Sequence, residues 1–395
     1  MTDRRPRVLV GFAEAFAAVE TAWSLQRAGF RVVLLHRAGS RSSSRFLWGV
    51  ERVEVPAPET DIGATVSAIQ AYVASARPAA FVPLDDGALL VSTLVTWGDT
   101  TMVGPGAAGA RFALDKAAQV DLAAEVGLPV PPSKAYDSVG GVESITAPSI
   151  IKPVDAVRVQ DGRLERPNGR VVSDAAELSA AEEAMQPGRV LVQPLVTGVG
   201  EGIFGYCDEA GVQQWSAHRR VRMVNPQGSA SSACESIEPD RALQPMITEF
   251  LAHVGWRGLF MVELLRGTDG VPWFMELNGR AWGSLALARR RGLEYPAWAV
   301  EAALGRPQMP APPAHPPYVR ARHLGREALH LAFVVRGPQS AAFAERWPRP
   351  LVTSKRLLTF RRGDRLYNWN LRQPWVLVVD TLETLAAQWR GRRSR

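Results

Sequence analysis

The stretch that decides the reading is residues 257–284, RGLFMVELLRGTDGVPWFMELNGRAWGS. Two short apolar runs flank Asp269-Gly270, a dipeptide that tolerates positive φ and marks a two-residue hairpin loop. Counting outward from that turn, Thr268 faces Val271, Leu265 faces Phe274, Glu263 faces Glu276 and Met261 faces Asn278. Alternation places Phe260, Val262, Leu264, Trp273, Met275 and Leu277 on one wholly apolar face, and Glu263, Glu276 and Asn278 on the other. Directly opposed carboxylates repel and weaken a sheet. A solvated outer face accommodates an isolated Glu-x-Asn. The opposed pair, with Arg280 two residues beyond Asn278 and a wholly apolar reverse face, favours a cation held between the strands. Two Glu and one Asn are oxygen-only ligands, which suit a hard ion such as Mg²⁺. Arg280, of the same parity, is placed to hold an anion beside it.

The pattern Glu263…Glu276-x-Asn278-x-Arg280 resembles the metal-binding hairpin of the ATP-grasp superfamily, with Gly279 where a proline is common. The resemblance implies that Glu263 and Glu276 bind Mg²⁺ (Mn²⁺ as an alternative), with Glu276 bridging two ions and Asn278 holding the second. It implies that Arg280 contacts phosphate or the substrate's acyl group.

Composition sets the outer bounds. A chain of 395 residues, 46% apolar, has room for two or three domains. Of 46 cationic residues only Lys116, Lys134, Lys152 and Lys355 are lysine, so the net charge of +7 reads as coding bias more simply than as a nucleic-acid surface. Nucleic acid is not an expected partner, and a membrane role is confined to the basic tail, RGRRSR. Cys207 and Cys234 have neither zinc nor C-x-x-C spacing and read as buried thiols. The sequence MTDRRPRVLVGFAEAF lacks a secretory h-region, and no apolar run is long enough to span a bilayer, so the expected location is the cytoplasm.

Taken in order, Arg7 to Leu35 reads as strand, helix, strand, the first βαβ unit of a parallel sheet. Its turn, G-F-A-E-A-F, has one glycine where a dinucleotide fingerprint needs three, so that function is rejected. Asp85-Asp86-Gly87 follows a third strand at Ala80; it is either a substrate contact or the N-cap of the next helix. Ala107 to Val126 reads as one helix, carrying Lys116. By resemblance Lys116 binds nucleotide phosphate, and Lys152, in SIIKPVD, lies near the α-phosphate and adenine. The family's glycine-rich phosphate-covering loop should follow, but residues 153–170 hold only Gly162 and Gly169. Arg158, Arg163 and Arg166 are candidate substitutes.

By resemblance, Gln193, Pro194, Leu195 and Val196 form the hinge that reads the adenine edge. Glu201 is either a ribose ligand or a surface carboxylate. In the strand ending at Met223, alternation puts His218, Arg220 and Arg222 on one face, either an exposed basic strand or a triphosphate or acyl-phosphate site centred on Arg220. The Gly/Ser-rich segment 225–236 resembles the acceptor-binding region. Helices are expected at 281–292 and 295–304, a proline-rich linker at 308–317, and further helices at 326–335 and 374–389.

The expected fold class is α/β, with α+β character in the ATP-grasp part. A Rossmann-like domain (1–105) precedes a two-lobed ATP-grasp domain (106–307; small lobe about 130–190, large lobe about 191–307) and a small C-terminal extension (308–395). The implied function is an ATP-dependent ligase that joins a small-molecule carboxylate to an amine through an acyl phosphate, releasing ADP and phosphate. A thiol or bicarbonate acceptor, or non-catalytic nucleotide binding, are the alternatives. The resemblance leaves room for a homodimer.

Overall fold

The computed structural model describes residues 5–145, 148–308, 310–338 and 341–393. Short apolar strands alternating with helices build a five-stranded sheet at the N-terminus. β1 (Arg7–Gly11), β2 (Arg31–Arg37), β3 (Val50–Val55), β4 (Ala80–Pro83) and β5 (Thr101–Met102) lie in the order β3-β2-β1-β4-β5, all parallel. α1 (Ala18–Arg27), α2 (Ile62–Ala76) and α3 (Asp86–Ser92) follow β1, β3 and β4. The strand order reverses between β1 and β4, and the crevice at their carboxyl ends is where such sheets place ligands. β3 is not among the expected strands: Glu51, Arg52 and Glu54 interrupt its apolar run, as an edge position allows.

The single helix expected over Ala107 to Val126 is two, α4 (Ala107–Leu114) and α5 (Lys116–Glu125). Asp115 breaks it, because its carboxylate accepts the Ala118 N–H at 2.9 Å and so starts a new helix. The small lobe follows: β6 (Lys134–Tyr136), β7 (Ser149–Pro153), the hairpin β8 (Arg158–Gln160) and β9 (Arg163–Glu165), then β10 (Arg170–Val172), α6 (Ala175–Ala184) and β11 (Val190–Pro194). Its sheet runs β10-β7-β11-β6 around a small core of its own, including Ile151, Val172 and Val190. β11 belongs to this sheet, so the lobe ends near Pro194 rather than near residue 190.

The large lobe is a seven-stranded sheet in the order β16-β15-β12-β13-β14-β17-β18. Its strands are β12 (Gly198–Asp208), β13 (Gly211–Met223), β14 (Ser231–Ile237), β15 (Gly258–Gly267), β16 (Pro272–Asn278), β17 (Arg320–Arg322) and β18 (Asp364–Leu366). The helices are α7 (Leu243–His253), α8 (Leu285–Arg290), α9 (Tyr295–Ala303), α10 (Leu324–Arg336), α11 (Pro350–Leu358) and α12 (Trp375–Arg393). α1, α8 and α9 pack in a layer between the two large sheets, where Val8, Val32 and Leu34 share one core with Phe204, Leu285 and Trp298.

Two expectations change here. Part of the Gly/Ser-rich segment is strand β14. The C-terminal extension is no appendage, because β17 pairs with β14 and β18 with β17, continuing the large-lobe sheet. The buried Arg322 ties it together, pairing with Glu327 at 2.6 Å and Asp364 at 3.3 Å. The helices expected at 326–335 and 374–389 are α10 and α12. The last two residues of the basic tail lie outside the described residues. Among the described residues, no helix is long and apolar enough to cross a membrane.

Candidate active site

The β15–β16 hairpin keeps the expected carboxylate pairing by a different route. Gly270 N–H donates to Gly267 O at 3.0 Å and Gly267 N–H to Val271 O at 2.9 Å, closing a three-residue loop rather than a two-residue one. Gly270 has φ +84°, a left-handed conformation that favours glycine. The longer loop shifts the pairing by one, so Leu264 faces Phe274 and Leu265 faces Trp273. A bulge between Glu263 and Leu264 takes the shift back, and Glu263 faces Glu276 and Met261 faces Asn278. The apolar face is corrected accordingly. Phe274 is buried beside Phe260, Val262, Leu264 and Leu277, while Trp273 and Met275 are only partly covered.

The opposed carboxylates act on one another. Burial, then the charge of Glu263, pushes the Glu276 carboxyl above its ordinary range, against Lys116 and Arg280, which pull it down. Glu263 is compensated by Arg220 at 2.7 Å. Asn278 Nδ2 lies 3.4 Å from Glu276 Oε1.

Both lysines expected at the site join this cluster. Lys116 occupies the first turn of α5, its Nζ 3.4 Å from Pro153 O. The helix junction holds the segment after Lys152 through Lys116 N–H to Val154 O and Ala156 N–H to Leu114 O, both 2.9 Å. Burial lowers the Lys152 ammonium below its usual range; Glu276 and Glu263 oppose that shift and Lys116 adds to it. Lys116, Lys152, Glu263 and Glu276 therefore share one field.

Arg280, whose charge also acts on Glu276, links the hairpin to the N-terminal domain, its Nε donating to Asp86 at 2.8 Å. The Asp85-Asp86 pair divides its work. Asp85 caps α3 through the Ala88 N–H at 2.7 Å, whereas Asp86 lies between Arg280 and Arg166, 3.2 Å from the latter. Burial raises the Asp86 carboxyl, but Arg280, Arg166 and Lys116 together hold it below the usual range. Residue types alone left Asp86 undecided. Its signal was its place at the carboxyl end of β4.

Where the resemblance expects a glycine-rich loop, the chain forms the β8–β9 hairpin. Leu164 is buried against the N-terminal domain, its N–H donating to Pro58 O at 2.8 Å, and Ile62 N–H donates to Gly162 O at 2.9 Å. Of the three candidate arginines, Arg158 is taken by Glu165 at 3.2 Å, Arg163 is exposed, and Arg166 reaches Asp86.

The expected basic face of β13 separates. His218 is buried and its imidazole is pushed down to about 3 by burial and by Arg220; its Nδ1 sits 2.6 Å from Ser284 Oγ. A register shift between Arg220 and Arg222 redirects Arg222, which pairs with Glu327. Only Arg220 reaches the cluster. It does so across Gly200, where an added Cβ would come within 2.6 Å of the Arg220 side chain; at Gly202 a Cβ would come within 2.9 Å of His218.

The residues expected at the nucleotide edge have partners of their own. Glu201 is buried, so the surface alternative fails; Arg219 and Arg266 pair with its two oxygens at 2.9 and 2.8 Å. Gln193 is buried and donates to Ser133 Oγ at 2.7 Å. In the segment expected to be the hinge, Pro194 has no N–H and Leu195 N–H already donates to Pro148 O at 2.9 Å, so neither offers a free N–H in this conformation. Val196 follows directly.

The donor set fits a hard divalent cation: two opposed carboxylates and an amide oxygen, with phosphate and water completing the shell. Among the described residues no third His, Cys, Asp or Glu converges on it.

No family model matches the sequence, and no curated protein matches it. Solved structures do share the fold. L-amino acid ligase from Bacillus licheniformis superposes with a TM-score of 0.60 at 16% identity, over 77% of this chain and 75% of that one. A biotin carboxylase–βγ-ATP complex from Campylobacter jejuni gives 0.60 at 15% identity, over 78% and 72%. N5-carboxyaminoimidazole synthetase from Staphylococcus aureus gives 0.59 at 10%, over 81% and 83%.

Proposed function

Taking the ATP-grasp fold as the premise, we propose that this chain is an ATP-dependent carboxylate–amine ligase. The observation that carries the reading is the pairing of Glu263 with Glu276 beside Asn278, ringed by Lys116, Lys152, Arg220 and Arg280. An acid pair enclosed by four cations is arranged for a charged ligand that brings its own counter-ions, as a metal–polyphosphate does.

In this reading Glu263, Glu276 and Asn278 hold Mg²⁺, which neutralises phosphate charge when bound. Lys116 and Lys152 bind phosphate oxygens. A carboxylate oxygen of the acid substrate forms a bond to the γ-phosphorus as the β–γ bridging bond breaks, giving an acyl phosphate and ADP. The amine nitrogen then bonds to the acyl carbon, loses a proton, and phosphate leaves. Arg220 and Arg280 hold the anionic oxygens in line. They need no acid or base chemistry, because positioning and charge supply most of the acceleration. Both arginines are paired here, Arg220 with Glu263 and Arg280 with Asp86, so ligand entry exchanges one anionic partner for another.

The test is MgATP turnover with pooled amino acids and other carboxylic acids, read as ADP and phosphate against Glu276→Ala. ADP release that needs one acid and one amine, and disappears in the variant, supports the ligase. Turnover that survives Glu276→Ala removes the hairpin from the chemistry.

A further inference from the structure

A second concentration of charge lies on the C-terminal extension, apart from the carboxylate cluster. Between Arg349 and Arg362 the sequence holds five cations, Arg349, Lys355, Arg356, Arg361 and Arg362, and no Asp or Glu. Other acid-free runs differ in being neutralised by the fold: within 279–293, Arg280 pairs with Asp86, Arg289 with Glu20 and Glu294, and Arg290 with Glu20. All five cations are exposed, and no carboxylate pairs with them among the described residues. Arg320 and Arg322, by contrast, are buried and matched to Asp364 and Glu327.

The same segment exposes apolar side chains. Leu351 is 86% exposed, Leu358 82%, Phe360 58% and Val352 45%. Helical spacing puts Leu351, Lys355 and Leu358 on one stripe of α11 and Val352, Arg356 and Thr359 on the next. Thr353, on the opposite side, is buried. The second stripe and Lys355 line a cavity of about 960 Å³, together with Arg222, Arg320 and Arg361 and a single carboxylate, Glu235. A helix that exposes leucines beside unpaired cations, over a basic cleft, has the make-up of an interfacial element: apolar groups enter the acyl boundary and cations meet phosphate headgroups. Nucleic acid would meet the cations but leaves Leu351 and Leu358 in water.

We propose that α11 and the turn after it, residues 349–362, form a docking surface for an anionic phospholipid membrane, with headgroup phosphate entering the cleft. The surface lies on the membrane rather than spanning it, and it does not depend on the ligase reading.

The test is flotation of the full chain with vesicles of phosphatidylcholine alone and of phosphatidylcholine mixed with phosphatidylglycerol. The full chain should float only with the anionic vesicles, and salt should release it. The triple variant K355E/R356E/R361E should lower the partition coefficient by about a hundredfold or more. The variant L351S/L358S should lower it while leaving the thermal midpoint unchanged, since both side chains are already in water. Absence of flotation at low salt overturns the proposal, as does equal binding by the charge-reversed variant. Calorimetric binding of inorganic pyrophosphate without vesicle binding also overturns it, in favour of a soluble phosphate ligand.

Discussion

Glu276 is where the fold and the chemistry pull in opposite directions. Its carboxyl is pushed up by burial and by Glu263 directly across the strand, so without a cation the hairpin is less stable than a neutral one. Glu276→Gln should therefore raise the metal-free stability by about 0.5–1 kcal/mol, while lowering turnover by about a hundredfold or more. A lower thermal midpoint for the variant in chelator would show that no repulsion is stored there. His218 supplies a pH dependence. Its folded pKa, about 3, is below the value near 6.5 of the unfolded chain. The unfolded state therefore binds the extra proton, so the contribution is complete above about pH 6.5 and is lost as pH falls toward 3, on the order of a few kcal/mol in total. Thermal midpoints of the wild type and His218→Gln across that window should converge on acidification. Parallel curves would contradict the assignment. The motif residues Glu263, Glu276, Asn278, Arg280, Lys116 and Lys152 were legible because their residue types are scarce or costly where they stand. Asp86 and Arg166 stood only as alternatives among neighbours, because an ion pair between distant segments leaves no local trace that would choose them.

At the scale of elements, two glycines and one hairpin arrange the site. Gly200 on β12 leaves the space through which Arg220 reaches Glu263, and an added Cβ there would sit 2.6 Å from the Arg220 side chain. Gly200→Val should cut turnover at least about tenfold with the sheet intact by circular dichroism; unchanged kinetics would show that Arg220 reaches its place another way. The β8–β9 hairpin docks on the N-terminal domain through Leu164, which is 3% exposed. Leu164→Ala should cost about 2–3 kcal/mol in urea unfolding, and a loss below half a kcal/mol would mean that the hairpin is only loosely seated. Sequence periodicity located most of the helices and the strands of the first βαβ unit and the hairpin, but it passed over others, among them β3 and β14, and it missed the bulges. The three-residue loop and the compensating bulge in β15–β16 cancel in the Glu263–Glu276 register, so the right pairing was reached through a wrong turn. In β13 the register shifts by one between Arg220 and Arg222 and shifts back before Met223, so Arg222 falls inside the irregularity and was misplaced. A bulge follows from how neighbouring strands must twist to pack, which one strand's alternation does not encode.

On the scale of the whole molecule, the candidate site draws on three separate parts: Asp86 from the N-terminal domain, Lys152 from β7 in the four-stranded sheet, and the carboxylates from the β15–β16 hairpin. The C-terminal extension supplies β17 and β18 to the seven-stranded sheet. Glu327 balances both Arg222 and the fully buried Arg322, so Glu327→Ala should destabilise by about 3–5 kcal/mol, read in urea unfolding. A loss under 1 kcal/mol would show that water already solvates those guanidiniums. The extension's role was illegible in sequence because β17 and β18 are three residues each, too short for any periodicity to register.

The central claim, that the β15–β16 hairpin is built to hold a metal–nucleotide, is tested most directly by calorimetric titration with ATP, with and without Mg²⁺, on the wild type and on Glu276→Ala. The account expects saturable, Mg²⁺-dependent binding by the wild type and loss of that Mg²⁺ dependence in the variant. Failure of the folded wild type to bind MgATP, or equal binding by both proteins, would contradict it.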